Sequence, residues 1–555
     1  NIAATDQMLD TPTNNFCTMN PIDVQTADKL LEGNLQLEPG NGRARGTMAV
    51  TTGKWYYEVL MEAQTQSTVD FGISGVVHKI SDDIGNEFVR IQHPSNGVDK
   101  VRLNVGGSIT DDIGVVANGD IIGVFFDMDA EEVSFLVNNS AIAASCTGVD
   151  FSGLTNKDMM APYIINSNGR RSVANFGQDS SFNGAKTAGN NADGNGIGDF
   201  FYAPPSGFLA LCTKNLPDET VVPTEKFNTV LYTGNGSTQD ITTVGFQPNF
   251  TWIKNRSATD SHQLFDAVRG VTNAIHADTT AAEAANDDTL THFLSNGFTT
   301  GDDVVTNTNS ENYVAWNWKA NGSGSSNTTG SINSTVSADV AAGFSIVSYT
   351  GNATSGATIG HGLSKAPQFI LLKCRGAVTD FVVYSETIGA GKFLRLSSHV
   401  AADTSSAVFN DTAPTSSVFS LGNNSDPNSN GEPYIAYCFH SVDGYSKVGS
   451  YNGNGAADGV FVNTGFRPAF ILCKHTSSGQ SWQIHDTKRD TFNLAKKVLF
   501  PDIENVEQDD AANGACDITS NGFKWRMADA DQNGNNILYT YLAIAETPFK
   551  YANAR

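Results

Sequence analysis

Positive charge is what this sequence has least of. Lys and Arg number 34 against 58 Asp and Glu, a formal net charge of -24. A surface so negative repels phosphate backbones, which excludes nucleic-acid binding through a basic footprint; its first consequence is solubility. Long apolar runs are also missing. None approaches the roughly 18 residues of a membrane-spanning helix, so no membrane insertion is expected, and the first residues do not read as a charged-then-apolar signal. The sequence opens on Asn1 rather than Met, as a processed chain or a piece of a longer one would. Cysteine is sparse: Cys17, Cys146, Cys212, Cys374, Cys438, Cys473 and Cys516 are odd in number, widely spaced and without a C-x-x-C. Several stand inside apolar runs such as Ile471-Leu472-Cys473, so they read as small buried hydrophobes in a chain folded in a reducing cytoplasm. There is no G-x-S-x-G elbow, H-E-x-x-H, P-loop or dinucleotide fingerprint. Gly-Asn-Gly runs such as Gly234-Asn235-Gly236 do not lead into helical patterns, which removes phosphate cradling. Helical pattern itself is scarce, and its best candidate is the short Thr280-Ala281-Ala282-Glu283-Ala284-Ala285.

What is present is turn chemistry and strand pattern. Hydrophobic residues make up 39%, charged residues only 17%, and Gly numbers 53, the balance of an all-β, turn-rich extracellular or virion protein. One stretch is written three times. Gly465-Phe466-Arg467-Pro468-Ala469-Phe470-Ile471-Leu472-Cys473-Lys474 repeats Gly245-Phe246-Gln247-Pro248-Asn249-Phe250-Thr251-Trp252-Ile253-Lys254 and, more loosely, Gly362 to Lys373. A dozen residues before each copy stands Tyr232-Thr233-Gly234-Asn235, Tyr349-Thr350-Gly351-Asn352 or Tyr451-Asn452-Gly453-Asn454. Near the end of each unit comes an aromatic strand, Tyr313-Val314-Ala315-Trp316, Tyr434-Ile435-Ala436-Tyr437 or Tyr541-Leu542-Ala543-Ile544. Ser295-Asn296-Gly297-Phe298 returns as Ser520-Asn521-Gly522-Phe523. Anchors 117 and then 102 residues apart mark whole domains, since solenoid periods run at roughly 20 to 50. Each copy reads as a turn followed by a strand, and Phe470-Ile471-Leu472-Cys473, apolar at successive positions, predicts a central strand covered on both faces.

Taken in order, residues 1–50 form a polar leading segment that joins the first sandwich, 51–212 the sandwich itself, and 213–226 a linker with two prolines. The first repeat occupies 227–320, a flexible Gly/Ser/Asn/Thr linker 321–340, the second repeat 341–440 and the third 446–555. The long linker predicts that the first repeat hinges against the other two, which are joined tightly through His440 to Ser446.

In the first sandwich the ordered motifs are Gly53-Lys54-Trp55-Tyr56-Tyr57-Glu58-Val59, Gly72-Ile73-Ser74-Gly75, Gly119-Asp120-Ile121-Ile122-Gly123-Val124, Ser134-Phe135, Pro162-Tyr163 and Asn175-Phe176-Gly177. Over about residues 45–212 this set resembles the SPRY family, a lectin-like (concanavalin-like) β-sandwich used for binding. It departs at Val137-Asn138-Asn139, where the family usually has Lys-Asn-Gly, and its loops carry no ligand signature, so the resemblance implies a fold without naming a ligand. The repeats resemble modules that follow SPRY-like domains in tail-fibre and other virion proteins of tailed, especially marine, bacteriophages. Glu546 to Arg555 resembles the natural C-terminus of such proteins.

Asp529-Ala530-Asp531-Gln532-Asn533-Gly534 matches half a calcium loop, but Thr540 stands where the bidentate carboxylate belongs, so a turn is expected and no metal. Asp127-Met128-Asp129-Ala130-Glu131-Glu132 concentrates carboxylates at a hairpin tip. His485-Asp486 has Phe265-Asp266 and Tyr384-Ser385 as counterparts, which speaks for a strand-end residue rather than a base. Trp252, Trp316, Trp318, Trp482 and Trp525 lie in strand-period runs and read as core, although exposed they would stack on sugars. The expectation is therefore an all-β chain, a SPRY-like sandwich followed by three homologous β-sandwich-like modules, with no enzymatic activity, no cofactor, no catalytic or metal residues and no binding residue identified. The resemblance implies a virion appendage, assembled in the host cytoplasm and exposed on the particle, adhering to host surface glycan or protein. It implies self-association, as a trimer, and contact with other tail or capsid proteins. The rivals are a structural or capsid-decoration protein without a host ligand and a polysaccharide depolymerase, which would need paired carboxylates in a groove.

Overall fold

The computed structural model describes residues 14–25, 30–38, 40, 42–63, 69–77, 80, 86–93, 100–166, 170–509 and 514–551. Asp10 to Thr13 of the leading segment and Ala552 to Arg555 of the closing one lie outside the described residues. The chain divides into two compact units, Asn1–Asp218 with Phe461–Gly465 and Glu219–Val460 with Phe466–Arg555.

In the first unit two sheets, antiparallel except where Leu209–Ala210 runs parallel to Lys54–Ala63, form a sandwich. One has the order Met19–Val24, Gly42–Gly46, Met160–Asn166, Val69–Gly75, Phe88–His93, Lys100–Val105, Ser108–Val115; the other is built on Lys54–Ala63, flanked by Ile121–Asp127 and Arg170–Asn175. Residues 19–46 thus contribute strands to both sheets, and the sandwich begins earlier than residue 51. The alternation at Lys54-Trp55-Tyr56-Tyr57-Glu58-Val59 sorts the two faces. Tyr57 points between the sheets, where its hydroxyl donates to Gly72 O, while Tyr56, Glu58 and the cross-strand neighbour Phe125 point outward. That outer face is covered by the segment after Asn175: Phe200 meets Tyr56 edge-on at 5.2 Å and Phe208 meets Phe125 at 4.9 Å. At the departure from the family pattern, Val137 pairs with Ser140, and both Asn138 and Asn139 take positive φ (47° and 62°). Asn tolerates that conformation, so the pair closes the two-residue hairpin without a glycine.

In the second unit the same sheet is built three times. The central strand lies between the aromatic strand and the next strand out: Phe250–Asn255 between Asn312–Trp318 and Gln263–Asp266, Phe369–Cys374 between Pro433–Phe439 and Phe381–Ser385, Phe466–His475 between Leu538–Pro548 and Gln483–Asp486. Phe227–Thr233, Phe344–Thr350 and Ser446–Asn452 border the aromatic strands. The central strands are apolar at successive positions because each separates two cores. Phe250 and Trp252, Phe369 and Leu371, Phe470 and Leu472 all enter one cluster shared by the three repeats. The intervening Ile253, and Ile370 with Leu372, enter separate clusters of the first and second repeats. Trp318 lies at the centre of the shared cluster, with the rings of Phe227, Phe250, Phe344, Phe439 and Phe470 between 4.8 and 6.5 Å away.

The repeats close head to tail. Glu283 N–H donates to Arg375 O (2.9 Å) between first and second, Ala402 N–H to Thr476 O (2.9 Å) between second and third, and Glu507 N–H to Arg256 O (3.2 Å) between third and first. The same backbone bond recurs at all three junctions, so the modules form a closed ring with pseudo-threefold repetition, and the first repeat is locked into it rather than hinged. The linker reading of 321–340 is corrected: Ser325–Asn327 and Ser334–Asp339 are strands, the latter pairing with Phe344 to Tyr349. Ser and Asn suffice in the outermost strand, Ser325–Asn327, because an edge strand needs backbone bonds more than a buried side-chain row, while Ser334–Asp339 turns Val336 into the second repeat's core. The helical reading of 280–285 is also corrected, since Ala284–Ala285 is a strand. Among the described residues the α-helices are single turns, Val304–Asn307, Ser406–Phe409, Ser425–Asn428 and Ala530–Asn533.

Candidate functional site

Three of those turns occupy equivalent places and explain the Tyr-x-Gly-Asn anchors. Asp303, Asn424 and Asp529 cap them, each side chain accepting from the N–H two residues on. At the end of each turn sits a fully buried asparagine. Asn307 Oδ1 accepts from Asn235 N (2.9 Å) and its amide donates to Gly301 O and Ser237 O. Asn428 Oδ1 accepts from Asn352 N (2.8 Å) and its amide donates to Gly422 O and Thr354 O. Asn533 Oδ1 accepts from Asn454 N (2.9 Å) and its amide donates to Met527 O and Ala456 O.

Two stacked tyrosines complete each clasp. Tyr232 and Tyr313, Tyr349 and Tyr434, Tyr451 and Tyr539 lie 5.0, 5.1 and 4.9 Å apart and nearly parallel. The first of each pair donates its hydroxyl to the turn, at Thr306 O, Pro427 O and Gln532 O. Tyr539, rather than Tyr541, is therefore the counterpart of Tyr313 and Tyr434, and the third aromatic strand is shifted by two from the register expected from sequence. A slip of two keeps every side chain on its face, so the apolar pattern did not reveal it. The clasp asparagines carry no apolar signal, although D/N-x-x-x-N-x-x-x-x-x-Y is written in all three copies, at Asp303, Asn424 and Asp529.

The clasp ties down the anchor and leaves the following residues outside. Gly236, Ser237 and Thr238, then Ala353, Thr354 and Ser355, then Gly455, Ala456 and Ala457 are exposed. Each loop is small, polar or neutral, and fixed at its base.

The other groups singled out in the sequence serve elsewhere. In the calcium-like string, Asp529 caps its turn, Asn533 is spent in the clasp, and burial raises the Asp531 carboxyl to about 6, with Asp529 adding to the rise. Among the described residues no group of three potential ligands is arranged to hold a metal. At the hairpin tip Asp127 binds Lys54 Nζ (2.6 Å) and accepts from Asp129 N and Ala130 N, while Glu131 binds Lys157 Nζ (2.6 Å), so the carboxylates hold the turn separately. His485 lies in the strand Gln483–Asp486, edge-on to Trp525 at 5.4 Å, and burial followed by the nearby Arg489 lowers it to about 3. All five tryptophans considered as sugar platforms are buried.

Sequence reading missed two further sets of buried charge. Lys254, Lys373 and Lys474, the last residue of each repeated stretch, are fully buried with ammonium groups donating to backbone carbonyls, and burial brings each down to about 8. Lys373 reaches Thr280 O of the first repeat and Lys474 reaches His399 O of the second. In the first unit Glu58 accepts from Tyr56 Oη, Asn175 Nδ2, Phe201 N and Tyr202 N, and burial raises it to about 7 against those donors. These groups hold segments together; none lies in the exposed loops.

Comparison with known proteins gives the two units separate relatives. Residues 54–179 match the SPRY domain. Among solved structures, the TRIM65 PSpry domain is similar at 14% identity over 29% of this chain and 92% of that one (TM-score 0.22). The SPRY domain of human HERC1 is similar at 17% identity over 30% and 95% (TM-score 0.21). Curated proteins yield no significant match. Residues 222–548, the whole three-repeat ring, match a second family, and the chain belongs to it: a protein of the family described as Domain of unknown function (DUF7483), carrying a SPRY domain ahead of the ring.

Proposed function

We propose that the chain is an adhesion protein of a virion appendage, tail-fibre-like, that attaches a tailed phage particle to host surface glycan or protein through several weak contacts. The observation that carries this reading is the triple display in the ring: one clasped loop, presented at three equivalent positions on a rigid scaffold. Small uncharged loops held at the base offer backbone groups, and in two copies Ser or Thr hydroxyls, for hydrogen bonds at little ordering cost, and three copies on one body raise avidity without any one being strong. The SPRY domain supplies a second binding module. In this reading the chain associates with itself, as fibre proteins do as trimers, and with other tail or capsid proteins. It acts on the particle exterior and catalyses nothing.

The test uses the full chain. Thr238, Ser355 and Ala457 occupy equivalent exposed positions six residues after the anchor tyrosines. Fluorescent protein should bind host cells saturably, and Thr238→Arg, Ser355→Arg and Ala457→Arg should weaken binding stepwise as they are combined. Binding that ignores all three would move the receptor site to the SPRY domain. No binding by folded protein would favour structural decoration, and release of new reducing ends from host polysaccharide would establish a depolymerase.

A further inference from the structure

The chain is dense in a chemically fragile pair. Asn-Gly occurs fifteen times, eleven of them wholly within the described residues. In such a pair the glycine nitrogen can attack the asparagine Cγ, because no Cβ hinders the approach and glycine reaches the required backbone angles. The reaction needs that nitrogen to leave any hydrogen bond it makes, so where the glycine N–H points decides which pairs survive.

Ten of the eleven are guarded. Gly236 and Gly455 donate to the clasp residues Asn307 O and Asn533 O, Gly431 to Gly351 O, and Gly534 to Tyr539 Oη. The remaining guarded glycines donate to backbone or serine oxygens or close tight hairpins, as Gly297 does opposite Leu294 and Gly522 opposite Thr519. Asn321–Gly322 is different. Both residues are exposed, Gly322 makes no hydrogen bond through its N–H, its φ is +63°, and nothing lies within 4 Å of where a Cβ would stand. The Asn321 N–H is fixed to Ser337 Oγ at 2.8 Å, while no bond holds its side-chain amide.

We propose that Asn321–Gly322 is a site of spontaneous covalent modification, the first of the described Asn-Gly pairs to deamidate in the folded protein. Gly322 N bonds to Asn321 Cγ, the Cγ–Nδ2 bond breaks, and ammonia leaves with the amide proton, forming a succinimide. Water then opens either ring carbonyl, giving aspartate or isoaspartate. No oxidant, metal or enzyme takes part. The product adds one negative charge, and isoaspartate lengthens the main chain by one methylene just before Ser325–Asn327, the outermost strand added to the second repeat.

The test is to hold the full native chain in mildly alkaline buffer and follow each Asn-Gly peptide by mass spectrometry, with enzymatic methyl labelling for isoaspartate. Opening one guarding hydrogen bond slows a pair about fivefold or more, so the Asn321 peptide should lead every other described pair by at least about that factor. The lead should collapse when the chain is unfolded in denaturant, and Asn321→Gln should remove the fastest phase while leaving the slower ones. Equal rates across the described pairs in the native chain, a different described pair in the lead, or a fast phase that survives Asn321→Gln would each overturn the proposal.

Discussion

Asn307, Asn428 and Asn533 show how much one buried amide can organise. Each satisfies backbone groups from two segments that would otherwise be orphaned, and an orphaned buried group costs more than the net worth of a hydrogen bond. Asn533→Ala is expected to destabilise the ring by about 1–3 kcal/mol in denaturant titration, with faster amide exchange confined first to residues 453–458. Leu at the same position should be worse, since it adds bulk without partners. The buried lysines predict a pH dependence of definite sign. Their folded values near 8 lie below the ordinary 10.5, so between those limits the unfolded chain holds more protons and stability rises with pH. Relative to Lys254→Met, the unsubstituted protein should gain roughly 1.4 kcal/mol per pH unit above pH 8 and show no slope difference below it. Glu58 runs the opposite way. Its folded value near 7 exceeds the ordinary 4.5, so its contribution is fully present below pH 4.5 and is lost as pH rises through 7; Glu58→Gln should flatten that part of the first unit's melting profile. None of this was legible beforehand. A lysine closing an apolar run looks like a strand end, and only the closed ring takes it out of water.

Among elements, the junctions offer an internal comparison. Between first and second repeats Arg269 bonds the Asp266 carboxylate and Glu283, Arg375 grips Glu283 with two bonds of 2.9 and 2.7 Å, and Tyr437 Oη donates to Asp266. The junction of third and first repeats repeats this with Asp486, Arg489, Glu507, Arg256 and Trp316. At the remaining junction Ser385 meets Thr540 Oγ1 at 2.7 Å, and Ile388 and Ala402 stand where the others have Arg and Glu. The protein itself thus closes two junctions through buried ion clusters and the third through a hydroxyl pair and apolar packing, with no member of the cluster left there unpaired. Asp266→Ala alone should cost about 3–5 kcal/mol by stranding Arg269, whereas Asp266→Ser, Arg269→Ile and Glu283→Ala together, the pattern of the second repeat, should cost less than that single change. At this scale the sequence was readable where hydrophobicity and turn residues decide: the central strands and the long hairpin around Asp127 follow their apolar and turn patterns. It misled where backbone bonding decides, at the serine-rich strands Ser325–Asn327 and Ser334–Asp339 and at Ala284–Ala285, because strands at or next to a sheet edge need not announce themselves with an apolar row.

For the whole molecule, the shared core changes what a repeat is. Three domains on linkers would melt separately, but Phe250, Phe369 and Phe470 enter one cluster, so the ring should unfold in a single calorimetric transition. Phe470→Ala should cost about 3–5 kcal/mol and lower hydrogen-exchange protection in all three repeats together; protection lost only in the third would contradict a common core. The sequence showed that the repeats exist and that both faces of their central strands are covered. It could not show that one of the covering layers belongs to the neighbours, since an apolar face carries no record of which chain segment will meet it.

Ring closure also frees the three interfaces from one another. Three like modules joined head to tail by one recurring backbone bond have the interface plan of a homotrimer carried on one chain. Three separate identical chains must use one interface three times, and any change in it is made everywhere at once. A single chain carries no such obligation: two of its seams hold an Asp-Arg-Glu cluster, the third has Ser, Ile and Ala at those places, and only the second repeat carries the extra strands Ser325–Asn327 and Ser334–Asp339 on its sheet.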